Sequence, residues 1–309
     1  MFALPNEGLD RSVTKHNCNL DVVADWIELN LLFSRERNIS QSDFLDILLE
    51  DEYYDNQEFA YEFIENTWNE IKRRHSLFGN NKIYSISKNS IQSLSPWKNN
   101  SVYSFLVSIS MKTFYNLKLP DDIYLEQGYL FELLTEESLN IQFPQWTSFR
   151  TGWNKDYPIN FEKILLSVEQ NLNILRRDTY KEYITPYTKE LKMDIILYRG
   201  YTDNLCNIPI FLVQCASGRD WKKKLNEPNV EQWKEILRFN SFPIKAFAMP
   251  FSLREEDFVF NSVHIKGFLL DRNRISSVYA SNKTWPSKYL RNKLNQFTSK
   301  IVKEIPLLN

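Results

Sequence analysis

The sequence predicts a mixed α+β protein, with a helical front followed by a rear part in which a central mixed β-sheet is flanked by helices. Three observations predict it. Up to about residue 118, apolar residues recur at helical spacing. Beyond residue 193 the period shortens to two, in several brief runs rich in β-branched and aromatic residues. Between these regions Leu119-Pro120-Asp121-Asp122 interrupts the pattern, because proline disfavours helix in the residue before it. The division falls at 118/119, giving a front domain of residues 1–118 and a rear domain of residues 119–309.

In the front, DVVADWIELNLLF (21–33) has the spacing of a helix. Ser40 to Asp43 has the form of a helix start leading into FLDILLEDEYY. NQEFAYEFIENTWNEIKRRHSLF carries Phe59, Phe63 and Trp68 near one face, and SVYSFLVSISMKTFYNL follows a Ser/Asn-rich segment. In the rear, LEQGYLFELLTEESLN (125–140) and FEKILLSVEQNLNILRRD (161–178) read as amphipathic helices. MDIILYRG (193–200) and IPIFLVQCAS (208–217) read as a hairpin of strands, and PIKAFAMPFSL (243–253) and HIKGFLLDR (264–272) as two more. EPNVEQWKEILRFN (227–240) is a further helix, and WPSKYLRNKLNQFTSKIVKEI is a terminal one started by proline.

Composition narrows the function. Only 7 glycines are present, and neither G-x-G-x-x-G nor G-x-x-x-x-G-K-[ST] occurs, so dinucleotide and P-loop chemistry lack their usual support. No stretch approaches the 18 apolar residues of a membrane span, and the start lacks the basic and apolar regions of a signal peptide. Cys18, Cys206 and Cys215 are too few for a disulfide scaffold, and with His16, His75 and His264 they give no zinc-ligand spacing. A reducing, cytoplasmic setting is expected.

The net charge of −1 conceals a split. Residues 186–309 hold 20 Lys/Arg against 12 Asp/Glu, and residues 1–185 hold 18 against 27. Such asymmetry points to a polyanion-facing region. Its sharpest piece runs from Arg272 to Lys303 and contains Arg272, Arg274, Lys283, Lys288, Arg291, Lys293, Lys300 and Lys303 with no acid. A solvated helix face is the alternative reading of the same run.

Strand alternation puts Ile208, Ile210, Leu212, Gln214 and Ala216 on one face and Phe211, Val213 and Cys215 on the other. Asp194 begins the partner strand. An acid and an amide on adjacent strands, with Glu132 from the helix at 125–140, can converge on a divalent cation that prefers oxygen ligands. Lys222, Lys223 and Lys224 are positioned to hold a phosphate. Gln214 otherwise needs a hydrogen-bond role, since a buried amide without partners costs about 1–3 kcal/mol. Cys215 reads as a small core residue and not as a nucleophile.

These residues resemble the PD-(D/E)XK nuclease superfamily. More narrowly, G-Y-L-F-E (128–132), D-I-I-L (194–197) and Q-C-A-S-G-R-D-W-K-K-K (214–224) are similar to bacterial nuclease-like proteins linked to phage defence, which share a Q-C-A-x-G-x-[DN]-W-x-x-K signature. The resemblance covers roughly residues 120–309 and implies a restriction-endonuclease-like fold. It implies Glu132, Asp194 and Gln214 as ligands of Mg²⁺ or Mn²⁺, and cleavage of phosphodiester bonds, in DNA before RNA. The superfamily lysine normally stands two residues after the second strand ligand; here that position is Ala216, and Lys224 is expected in its role. Lys222, Arg272, Arg274, Lys288, Arg291 and Lys293 are expected to grip the nucleic-acid backbone by salt-sensitive contacts. The acidic helical front is expected to dock a partner protein, and nucleases of this kind often work as dimers.

Two alternatives stay open. The rear domain can be a nuclease fold without catalysis that binds nucleic acid or serves as a scaffold, which Ala216 and Gln214 favour. An RNase of the HEPN type needs R-x(4–6)-H, whereas Lys72, Arg73 and Arg74 stand too close to His75.

Overall fold

The computed structural model describes every residue except 6, 10–18, 55, 152–160, 184–190, 283 and 309. His16, Cys18 and Lys283 therefore lie outside the described residues. The chain divides into two units, one of Met1–Pro120, Pro250–Arg254 and Arg272–Asn309, the other of Asp121–Met249 and Glu255–Asp271. The fold is α+β, with a five-stranded mixed sheet flanked by helices in the second unit.

In chain order, the first unit begins with α1 (Leu20–Phe33), β1 (Asn38–Ser40), α2 (Gln41–Glu50), α3 (Gln57–Leu77), β2 (Tyr84–Ile86), β3 (Ser90–Ser93) and α4 (Ser101–Phe114). The sequence start signal at Ser40 is a complete capping box: the Ser40 hydroxyl accepts the Asp43 N–H, and the Asp43 carboxylate accepts the Ser40 N–H. Helices α1 and α4 are buried almost all round, and their buried faces include Asp25, Glu28 and Asn30 on α1 and Ser104, Ser108 and Ser110 on α4 as well as apolar residues. The strands β1, β3 and β2 form a small antiparallel sheet, in that order. Its shortness and Ser-rich composition explain why no sequence pattern announces it.

The second unit contains α5 (Asp121–Gln142), β4 (Thr147–Arg150), α6 (Phe161–Leu172), β5 (Ile195–Tyr198), β6 (Ile210–Cys215), α7 (Val230–Ile236), β7 (Ile244–Ala248), α8 (Glu255–Ile265) and β8 (Phe268–Leu270). The sheet runs β4-β5-β6-β7-β8. The strands β4, β5 and β6 pair antiparallel, and β7 and β8 continue parallel to β6. On one face Ile196, Tyr198, Ile210 and Leu212 pack with Leu165 and Val168 of α6 and Trp233 of α7. On the other, Phe143 and Trp146 lie 5.7 and 5.2 Å from Phe211, ring centre to ring centre. The expected strand at 264–272 is shorter than its apolar pattern suggested, because His264 still belongs to α8. Gly267 marks the turn: a Cβ there would lie 2.2 Å from the Lys245 carbonyl oxygen, so only glycine lets β8 approach β7.

The chain then returns to the first unit through α9 (Arg272–Ser281) and α10 (Lys288–Lys303). A single rear domain of residues 119–309 is thus divided, and the physical cause is burial. Leu290, Leu294, Phe297 and Ile301 form the buried face of α10, which packs on α4, with Phe297 set edge-on to Phe105 at 5.6 Å. Arg272, expected on a nucleic-acid surface, has no exposure at all. Its guanidinium reaches Asp25 at 2.6 and 2.8 Å and Glu28 at 3.1 Å, and its Nε donates to the Pro250 carbonyl at 2.8 Å. Arg74 is equally buried and meets the same two acids at 2.6 and 3.1 Å, with Glu70 at 2.8 Å. Ser110 completes the shell of Asp25, and Tyr84 and Tyr103 complete that of Glu28. Burial alone would raise the Asp25 pKa, but the charges of Arg272 and Arg74 and their hydrogen bonds hold it below the usual carboxylate range.

Arg272→Met should strip two buried carboxylates of a cation and destabilise the first unit by about 3–5 kcal/mol. Arg274→Met, on the exposed side of α9, should be nearly neutral. Chemical denaturation of both variants checks this, and equal stabilities would refute it. Asp21 supplies a pH test. Burial pushes its pKa up to about 6, against the opposing charge of Arg74. A folded-state pKa above the unfolded one means that its ionisation costs stability as pH rises from about 4 to 6, the cost then staying constant. Asp21→Asn should therefore raise the melting temperature relative to wild type more at pH about 8 than at pH about 4.5.

Candidate functional site

The β5–β6 hairpin positions the first pair of expected site residues. Ile195 pairs with Val213, and the register carried one step further sets Asp194 opposite Gln214. Asp194 continues the ladder beyond the strand, with its N–H on the Val213 carbonyl at 2.8 Å and its carbonyl accepting the Thr151 N–H at 2.8 Å. Both side chains are buried. The Asp194 Oδ2 accepts Gln214 Nε2 at 2.5 Å and the Cys215 N–H at 2.6 Å. Gln214 Nε2 also donates to the Cys215 carbonyl at 3.1 Å. The amide hydrogens of Gln214 are thus fully used, whereas its Oε1 is buried and accepts no hydrogen bond.

Glu132 comes from α5. That helix turns Gln127, Leu130, Phe131, Leu134 and Thr135 inward, leaving Glu132 half-buried beside them. Burial pushes the pKa of the Cys215 thiol well up, and the charges of Asp194, Glu132 and Glu136 add to the rise against a hydrogen bond from Thr135. A thiol so disfavoured as thiolate fits the expectation that Cys215 is no nucleophile. Glu136 is engaged elsewhere, with Arg150 at 3.1 Å and the Ser148 hydroxyl at 2.9 Å. Gln127 was not singled out from the sequence. Its Nε2 donates to the Ser217 carbonyl at 2.8 Å and to the Ser217 hydroxyl at 3.2 Å, and its Oε1 is a second buried acceptor without a hydrogen bond. Its place one turn before Phe131 on the inward face was the available signal.

The lysines follow in a 3-10 turn over Arg219–Lys224. Trp221 anchors the turn, buried against Phe247 with ring centres 6.4 Å apart. Lys222 is exposed, its Nζ 5.6 Å from the Trp221 ring centre. Lys223 pairs with Asp220 at 2.7 Å on the open surface. Lys224 is half-buried at the end of the turn, and its charge also acts on Asp220, whose pKa is lowered first by the Lys223 hydrogen bond and charge. Ala216, at the position of the superfamily lysine, is buried and gives its N–H to the Ala248 carbonyl at 2.9 Å.

The remaining basic residues belong to the first unit. Arg274 and Lys288 are exposed, and Lys293 is half-buried with its Nζ 5.9 Å from the Tyr289 ring centre. Arg291 is half-buried, its Nη2 directed at the carbonyls of Thr284, Trp285 and Pro286 at 3.3, 3.5 and 3.4 Å. Arg272 is removed from any nucleic-acid surface by its burial in the ionic cluster.

Among the described residues, no three His, Cys, Asp or Glu side chains group as metal ligands. The expected trio contains only two acids, so its third ligand must be an amide oxygen, and the open Oε1 of Gln214 is such an atom. All donors in that set are oxygens, which suits a hard divalent cation in kind. Among the described residues, no helix is long and apolar enough to cross a membrane. Compared with protein-family models, curated proteins and solved structures, the chain matches none.

Asp194→Ala should leave the Gln214 amide and the Cys215 N–H without their shared acceptor, at about 1–3 kcal/mol for each donor left unpaired. Asp194→Asn retains an acceptor oxygen and should lose less. Urea denaturation followed by circular dichroism checks the ranking; an Asp194→Ala protein as stable as wild type would contradict it.

Proposed function

We propose that the sheet unit is a metal-dependent phosphodiesterase, a nuclease that acts on DNA before RNA and serves a bacterial defence against phage. The observation that carries this reading is the buried, hydrogen-bond-free Oε1 of Gln214 directly across the strand pair from the Asp194 carboxylate. An acceptor in that position needs a donor or a cation. Asp194, Glu132 and Gln214 would hold Mg²⁺ or Mn²⁺, which when bound supplies an activated water and offsets charge on the phosphate. Asp194 is oriented for that role by Gln214 Nε2 and the Cys215 N–H. Lys224 neutralises the phosphate in the transition state, and Lys222 contacts the backbone without reading sequence. Arg274 and Lys288, both exposed, are the other candidates for phosphate contacts. The acidic helical front would dock a regulatory protein, the active form would be a dimer, and the protein would work in the cytoplasm.

One observation favours a second reading, a nuclease fold without catalysis. Ala216 leaves the lysine position filled by a buried methyl group, and Asp194 Oδ2 already accepts two donors. Plasmid DNA and an RNA of similar length, incubated with Mg²⁺, Mn²⁺ or EDTA, separate the two. The nuclease reading expects metal-dependent cutting that falls by at least about a hundredfold in Glu132→Gln and Asp194→Asn. No cutting, together with no heat of Mn²⁺ binding, would transfer the assignment to the inactive scaffold.

A further inference from the structure

The first unit contains a cavity of about 610 Å³. That volume lies within the range of roughly 300–1,000 Å³ typical of small-molecule sites. The end of α3, the turn before α4, one side of α9 and the start of α10 form its walls. Among the described residues, Lys98 and Arg291 are the charged residues of the lining, and no Asp or Glu joins them. Neither cation is paired with a carboxylate among the described residues. Lys98 is exposed, its Nζ 5.6 Å from the Trp97 ring centre, and Arg291 meets only backbone carbonyls through Nη2. In a cavity wall this leaves a positive potential that an anion would satisfy.

Two further features define what kind of anion. Of the side chains in the wall, the Ser276 hydroxyl is buried and shows no surface to the cavity, so polar recognition rests on the two cations. Phe78, Tyr103 and Tyr279 contribute aromatic surface, with Phe78 set edge-on to Tyr103 at 5.0 Å. The Tyr103 hydroxyl is already bound to Glu28 at 2.7 Å, so Tyr103 offers the cavity its ring and not its oxygen. Cations without carboxylate partners and ring faces together suit a phosphate joined to a flat heteroaromatic group.

We propose that this cavity is a binding site for a nucleoside phosphate, with Lys98 and Arg291 on the phosphate and the aromatic wall against the base. The assignment rests on the first unit alone and stands or falls independently of nuclease activity in the second.

The test is calorimetric titration of the full chain with the four ribonucleoside 5′-monophosphates, and with adenosine and inorganic phosphate as the two halves of the ligand. At least one monophosphate should bind saturably, with each half weaker by roughly tenfold or more. Lys98→Gln, an exposed change that leaves the core untouched, should weaken that binding by roughly tenfold. Arg291→Gln should do the same where its circular dichroism remains native. Failure of all four monophosphates to bind at millimolar concentration would overturn the proposal. Binding undiminished in Lys98→Gln would overturn it too, as would inorganic phosphate binding as tightly as the best nucleotide.

Discussion

The first unit depends on a cluster of charges that water cannot reach. Arg74 and Arg272, both without exposure, share Asp25 and Glu28 on the central helix α1, and Arg73 and Arg74 share Glu70. Removing so many charges from water is costly, and the arrangement is tolerable only because nearly every oxygen meets an N–H or O–H donor. The cluster also fixes chain order. Arg272 is 247 residues from Asp25, so α9 and α10 must return beside α1 and α4 before the acids are satisfied. Hydrophobic burial would accept many packings of α10 on α4; a shared pair of guanidinium forks accepts few. The cluster extends through Tyr103 to the cavity wall. Burial and then the Glu28 charge push the Tyr103 pKa well up, so its hydroxyl stays a donor to Glu28 and keeps the ring in place.

The second unit repeats the logic on a smaller scale. A single buried carboxylate, Asp194, is kept by one side-chain amide and one backbone N–H at a strand end. The hairpin register makes this possible, since a slip by one residue would send Gln214 to the opposite face and leave Asp194 without its partner.

Local chemistry was legible in the sequence, and distant partnership was not. The Ser40–Asp43 capping box and the β5–β6 hairpin depend on residues close in sequence or on an alternation visible within one strand, and both read correctly. The break at Leu119-Pro120 lies next to the start of α5 at Asp121 for the same reason. Arg272 was misread because an arginine in a basic run looks the same whether it faces solvent or an acid on the first helix. The acid-free stretch from 272 to 303 is therefore partly a record of where the counter-charges of Arg272 sit, on α1. Helix α8 was missed since Val259, Phe260 and Val263 are exposed, which erased the amphipathic pattern that marks a helix against a sheet. In the candidate site, Asp194, Gln214 and Glu132 stood out by residue type, but the donor role of the Gln214 amide depends on a rotamer that no pattern encodes.

That rotamer explains why an amide occupies position 214. A glutamate there would place a second buried carboxylate directly opposite Asp194, and two like charges so close cannot both ionise without a cation between them. Glutamine replaces the repulsion with a 2.5 Å hydrogen bond, so the strand pair is self-consistent without any ion. The acceptor left over, Oε1, is neutral, and its desolvation costs less than that of a second charge. A strand end built this way holds its shape without a second buried charge.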